Sequence, residues 1–349
     1  MAQIEAAEDV AIHRAPLVSA ELTSSPPIRV VTEAISATEW DQFAARCDAS
    51  FRASYWGSRA LQLEHHVRFR MYNLGCYIEC DGVPLKFAQA AVGIGRRLRV
   101  FADDLHLLPE YRHLWQQAMM AVLAHLGPGI YQYGGNWSLE PPRGHELASL
   151  NGVALLERRS ITVHFVDFSQ WKSWDSYISS VSSNAKRNAK RAEKEIPSLS
   201  IAERTGASTL HDLPSLLPLR KAVFERKGMH ARSFRFLCRF MLRATLLHRY
   251  AFTAVVKRDG KPIANFGGVW FGHNTYYLES GSGEDNLGVT WFLLLRMLRN
   301  AYERAPSGRF FLGAYYDSSG ITDDAGLRFF RDQCRAVSHP TAEYVFSYS

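Results

Sequence analysis

Two stretches of this chain share one alternation of apolar and polar positions. In Cys76–Leu85 and again in Ala254–Ile263 an apolar run meets Asp-Gly, and Pro follows two residues after the Gly. Asp-Gly supplies the positive φ angles that a tight hairpin turn demands, so each stretch predicts a β-hairpin. The aspartates, Asp81 and Asp259, lie 178 residues apart. That offset keeps register without a gap over roughly sixty further residues. Strand-like Arg97–Ala102 falls on Thr275–Ser280, the helical pattern Glu110–Leu126 on Gly288–Arg304, and strand-like Ile130–Gly135 on Gly308–Gly313. Hairpin, strand, helix and strand thus recur in one order, which predicts a tandem duplication of one strand-rich α/β unit.

Around this frame, residues 1–35 are rich in Ala, Ser and Pro and predict a flexible N-terminal segment, with a short strand near Ile28–Val31. Thr38 reads as the cap of a first helix, with Asp41 in its first turn. Residues 160–168 predict a strand, and Trp174–Ile196 one long helix ended by Pro197. The implied division is 36–158 for the first unit and 159–349 for the second.

The most distinctive segment is Ser182–Ile196. Ile178, Val181, Ala185, Ala189, Ala192 and Ile196 recur at spacings of three and four and form one apolar helix face. Lys186, Arg187, Lys190, Arg191 and Lys194 fall off that face, opposed only by Glu193 and Glu195. A one-sided cationic face is suited to tracking phosphates, although a solvated surface has the same pattern. Gly281, Gly283 and Gly288 punctuate a strand-to-helix loop, where unpaired N–H groups suit an anion. Tyr315, Tyr316 and Asp317 follow a strand and offer proton-handling groups, and Arg331 in the next helix is suited to stabilising an oxyanion.

Composition narrows the class. The chain has 349 residues, 47% hydrophobic and 21% charged, enough for two ordinary domains. No apolar run reaches the roughly 18 residues of a membrane span; the most apolar stretch, Trp291–Leu298, is cut by Arg296. Peripheral contact with a membrane stays open. Glu5, Glu8 and Asp9 speak against a secretory leader, and five cysteines without framework spacing point to a reducing, cytoplasmic setting. Cys76 and Cys80 have no companions for a zinc quartet, so no metal is expected. A net charge of +7 favours a polyanionic partner.

Asn184–Lys194 resembles the basic helix opening the second half of CelD-like GNAT acetyltransferase domains and of the Fem-type (FemABX) aminoacyl-tRNA-dependent transferases. The resemblance continues through Arg220, Gly228, the Asp259–Ala264 hairpin, Tyr276-Tyr277 with Gly281, the helix Trp291–Tyr302, and Gly326–Arg331. Over residues 38–150 it is loose, resting on Trp40, Phe43, Asp81-Gly82 and Tyr133-Gly134. It implies an α/β (α+β) fold of two tandem GNAT-like domains, each a mixed, mainly antiparallel sheet flanked by helices. The first would be degenerate and the second would carry the site.

The resemblance also implies an acyltransferase without a covalent nucleophile. Lys186, Arg187, Lys190, Arg191, Gly281, Gly283 and Gly288 would hold the donor, with Arg220, Glu279 and Phe330 on the substrate side. Two departures matter: Asp285 and Thr290 stand where CoA-using relatives have Arg or Gln and Gly or Ala, and Arg331 stands where Fem-like relatives have Lys. The first departure, the basic helix and the high pI together favour an aminoacyl-tRNA donor and tRNA as partner, with no tightly bound cofactor. The acceptor would be an amine or hydroxyl(amine) of a cell-wall-type precursor or of a small molecule in natural-product biosynthesis. Acyl-CoA-dependent N-acylation in polysaccharide or secondary metabolism is the alternative reaction. A non-catalytic RNA- or anion-binding module is the alternative class.

Overall fold

Both Asp-Gly steps form tight turns: φ is 52° and 76° at Asp81 and Gly82, and 49° and 76° at Asp259 and Gly260. The computed structural model describes residues 27–64, 70–96, 98–194, 198–226, 228, 230, 233–283, 288–316 and 330–349.

The first turn joins β2 (Arg70–Cys80) to β3 (Val83–Ile94), after β1 (Arg29–Thr32), α1 (Ala37–Arg46) and α2 (Tyr55–Glu64). Then come β4 (Leu98–Phe101), β5 (His106–Leu107), α3 (Trp115–Leu126), β6 (Gly129–Tyr133), α4 (Gly144–Ala148) and β7 (Val153–Asp167). Before the second hairpin lie α5 (Trp174–Ser180), α6 (Ser183–Glu193), β8 (Leu199–Thr205), α7 (Leu213–Arg226) and α8 (Ser233–Leu246). The second turn joins β9 (Ala251–Arg258) to β10 (Lys261–Phe271), followed by β11 (Asn274–Ser282), α9 (Val289–Arg304), β12 (Arg309–Tyr316) and β13 (Val337–Tyr348).

Three local expectations are corrected. The first helix is capped by Ser36, not Thr38, because Ser36 and Glu39 complete a reciprocal capping box. The pattern Glu110–Leu126 begins with a 3-10 turn, Pro109–Leu114, before α3. The helix Trp174–Ile196 is two helices, because Ser182 leaves helical geometry and its Oγ accepts from Ala185 N.

The thirteen strands among the described residues form one sheet in the order β1-β2-β3-β4-β6-β13-β7-β12-β11-β10-β9-β8, with β5 beside β3. The final strands are exchanged. β7 pairs antiparallel with β12, and β13 pairs antiparallel with β6. The two then pair with each other from Val337↔Phe165 to Tyr348↔Val153. Apolar layers follow this division. Trp115, Val122, Tyr131, Tyr133 and Phe346 pack under the first half, and Phe266, Phe292, Leu298 and Phe310 under α6 and α9. Phe51, Trp137, Phe165, Tyr276 and Phe311 fill the seam. Polar bonds cross it as well: Asn274 Nδ2 donates to Asp48 Oδ1 at 2.8 Å, and Tyr250 Oη donates to Asp41 Oδ2 at 2.6 Å.

Phe346 is wholly buried and stacks on Tyr131 at 5.3 Å. Phe346→Ala should therefore cost about 3–5 kcal/mol. Urea unfolding followed by far-UV circular dichroism should show both halves lost in one transition at lower urea.

Candidate functional site

β11 and β12 run parallel and pair only at Thr275↔Phe310 and Tyr276↔Phe311. Beyond that point β11 stays on β10 and β12 stays on β7, so the sheet splits. At the split β11 also bulges: Glu279 faces Gly267 and Tyr277 faces Gly268, which leaves Leu278 outside the ladder. The glycines make the bulge possible. A Cβ on Gly268 would overlap the Tyr276 carbonyl oxygen, and one on Gly267 would overlap the Glu279 carboxylate.

On the face covered by α6 and α9, buried Arg331 lies 4.1 Å from the Tyr315 ring centroid. Its Nη2 donates to the Leu312 carbonyl at 3.4 Å. Tyr315 meets His164 edge-on at 5.1 Å, and His164 Nδ1 lies 3.1 Å from Ser338 Oγ. Across the split, burial raises the pKa of Tyr277, and the charges of Arg220 and Arg331 oppose the rise. Tyr277 is therefore a neutral hydroxyl influenced by both arginines, and it bonds to Ser280. Phe330 packs on Trp291 of α9 at 4.9 Å. Tyr316 pairs through its backbone with Ile161. Its side chain, like Asp317, lies outside the described residues.

α9 begins beside the split. Its cap, Gly288, has φ of 89°, and no side chain caps the first turn. A Cβ there would overlap the carbonyl oxygen of Asn188, so α6 lies directly against the start of α9. Arg187, Lys190 and Arg191 are exposed on α6. Lys186 Nζ donates to the Ser179 carbonyl at 3.0 Å and Arg187 Nη2 to Asn184 Oδ1 at 3.1 Å. The other two glycines serve the sheet. Gly281 faces Asn265 in the ladder, and Gly283 N donates to the Ile263 carbonyl at 2.9 Å. Of the three, only Gly288 stands at a helix N-terminus.

On the opposite face a cavity of about 620 Å³ lies at the seam. Arg52, α2 and Trp137 line it from the first half; Arg220, α8 and β11 line it from the second. Arg235, Arg239 and Arg243 join Arg52 and Arg220 in the wall, against one carboxylate among the described residues, Glu279. Glu279 is buried and paired through both oxygens with Arg243. That pairing satisfies the carboxylate and suits it to orienting Arg243. Arg220 sits over the rings of Phe224 and Phe236 at 4.3 and 4.6 Å. Burial lowers its pKa, opposed by nearby Glu279. The sequence singles out Arg220 and Glu279 and holds Tyr277 in a matched motif without a role, but it gives no sign of His164, Arg243 or the other cavity arginines, which no short motif links.

In the first half, β4 and β6 also run parallel, from Leu98↔Ile130 to Val100↔Gln132. That end is occupied by Asp103, Asp104 and His106, all buried. Ser138 Oγ donates to Asp104, and Gly134 N donates to the Asp103 carbonyl at 3.2 Å. Burial, and then the charge of Asp103, push the Asp104 pKa well up. Among the described residues no group of three or more His, Cys, Asp or Glu is placed to hold a metal, and no helix is long and apolar enough to cross a membrane.

Residues 179–317 match the family model described as an acetyltransferase (GNAT) domain. This stretch of the second half is similar to GNAT domains. Likeness in fold extends over the whole chain. FemX superposes with a TM-score of 0.67 at 11% identity, covering 91% of this chain and 97% of that one. The C-terminal domain of a putative lysylphosphatidylglycerol synthetase from Agrobacterium fabrum gives 0.51 at 14%, covering 90% and 92%. L-PGS from Bacillus licheniformis gives 0.50 at 12%, covering 91% and 93%. No curated protein sequence matches. The GNAT match spans α6, the β11 bulge, α9 and β12, the elements that frame the split.

Two outcomes are expected. Gly288→Ala should destabilise the protein by at least about 2 kcal/mol, through both the positive φ and the clash with α6; thermal unfolding measures it. The pKa of Asp104 is raised in the native state, so its contribution is fully present below the unfolded pKa of about 4 and is lost as pH rises through the raised native value. The stability of Asp104→Asn relative to wild type should therefore climb from pH 4 to pH 8 in urea titrations.

Proposed function

We propose that this protein transfers an acyl group, with the acceptor in the arginine-lined cavity and the donor arriving from the α6–α9 side. One observation carries the reading: Leu278 and Glu279, at the bulge, also line the cavity, so both faces converge on one open point of the sheet. The cavity's charge suits an acceptor bearing phosphate or carboxylate groups, with Arg220, Arg235 and Arg239 as its partners. The basic face of α6 beside the start of α9 suits a polyanionic donor, and aminoacyl-tRNA is the donor we favour. One relative in fold bears on the group transferred: the name lysylphosphatidylglycerol synthetase describes a lysyl group joined to an anionic lipid. On this reading the acceptor's amine or hydroxyl attacks the donor carbonyl, forming the new C–N or C–O bond as the carbonyl oxygen takes negative charge. Arg331 stabilises that charge from beneath Tyr315. Collapse expels the donor's oxygen; neutral Tyr277 protonates it and regains a proton from solvent, to which the attacking group releases its own. The reaction needs positioning and charge stabilisation, with no covalent enzyme intermediate.

Acyl-CoA is the second reading, favoured by the α9 N-terminus, which no side chain caps. Charged tRNA and acyl-CoA, each offered with candidate anionic amines, separate the two. RNase-sensitive loss of the aminoacyl group supports the first, and full turnover with acyl-CoA alone overturns it. Arg331→Gln should lower kcat by about 10²–10³-fold, and Arg220→Ala should chiefly raise KM. A variant set in which Lys186→Glu/Lys190→Glu abolishes function while Arg331→Gln leaves it intact would show a binding module instead of an enzyme.

A further inference from the structure

Eight large apolar side chains are exposed among the described residues, and four of them, Trp56, Leu63, Phe234 and Met241, sit on α2 and α8. These helices touch each other and both line the cavity. α8 has two apolar faces. Phe236, Phe240 and Ala244 point inward and pack with Leu216. Phe234, Leu237, Cys238 and Met241 recur at the helical spacing of three, four and seven, so they form a second stripe. Phe234 is 79% exposed and Met241 40%.

Charge says what would cover that stripe. Residues 226–258 hold nine Lys and Arg and no Asp or Glu. Arg235 and Arg239 are exposed on α8 and stand on the cavity wall, beside the stripe. An apolar stripe with flanking arginines and no acids suits a surface offering phosphates at one depth and hydrocarbon just below it. A protein partner would have to supply acidic groups and an apolar groove together; a bilayer supplies both over any area.

We propose that α8, with Trp56 and Leu63 of α2 beside it, is a membrane-contact surface that seats on anionic bilayers. Phe234 and Met241 enter the boundary between headgroups and acyl chains, and Arg235 and Arg239 meet lipid phosphates at the cavity's rim. α8 has 14 residues, too few to cross a bilayer, so it lies in the plane of the interface. The surface stands whether or not acyl transfer takes place, since its test reads binding alone.

The test is co-sedimentation of the full chain with phosphatidylcholine vesicles, with and without about one-third phosphatidylglycerol. Wild type should pellet with the anionic vesicles, much less with the neutral ones, and be released by high salt. Phe234→Ser/Met241→Ser should weaken binding by roughly tenfold or more, with unchanged circular dichroism and melting, and Phe234→Trp should retain it. Equal binding by wild type and the double variant overturns the proposal, as does wild type left in the supernatant. A concentration-dependent dimer that the double variant dissociates would assign the stripe to a second copy of the chain instead.

Discussion

β7 and β13 lie side by side at the centre of the sheet, and each completes the half it does not belong to in the repeat. The 178-residue offset that relates the hairpins also carries β7 onto 331–345, inside or next to β13. A duplicated unit that kept its own last strand would give two sheets meeting at a surface. Exchange instead runs backbone hydrogen bonds through the seam, and those bonds must be made or lost together. Asp48, Asp41 and the Phe51–Trp137–Tyr276 aromatic cluster add side-chain ties at the same place. A cavity whose walls come from both halves needs this, because two domains free to rotate would not hold arginines from Arg52 to Arg243 around one volume.

The two halves differ at one structural point. Each half has a parallel pair that parts company, and each has extra residues on the inner strand there. In the second half the extra residue is Leu278, flanked by glycines on the neighbouring strand, and the split stays open. In the first half Asp103, Asp104 and His106, all buried, turn into the space, and burial raises the pKa of Asp104 there. One geometry thus serves as an opening in one copy and as a packed, polar plug in the other.

Much of the frame was legible because short-range chemistry decides it. Asp-Gly accepts two positive φ angles, and the alanine stripe of α6 has one way to face inward. The break at Ser182 was hidden because no Gly or Pro marks it; a serine cap inside a continuous apolar stripe looks like helix until its geometry is seen. The strand exchange was not legible at all, since β7 and β13 have the same pattern wherever they pair. The cavity was hidden for a related reason. Its arginines lie on α7, α8 and the segment before α2, and only the tertiary fold collects them. Of its partners, Arg220 and Glu279 surfaced through resemblance, while Arg243, which binds Glu279, carried no signal.

The exchanged strand also sets a schedule. Tyr133 on β6 waits for Tyr344 on β13, 211 residues further along. At ordinary elongation rates that is about 10–40 s of synthesis. During that interval the first half exists with β6 as a bare edge, its N–H and C=O groups unpaired, beside a core that lacks Phe346. The nascent first half is therefore a natural client for whatever shields open strands at the ribosome, and the protein matures as a whole, not one half at a time.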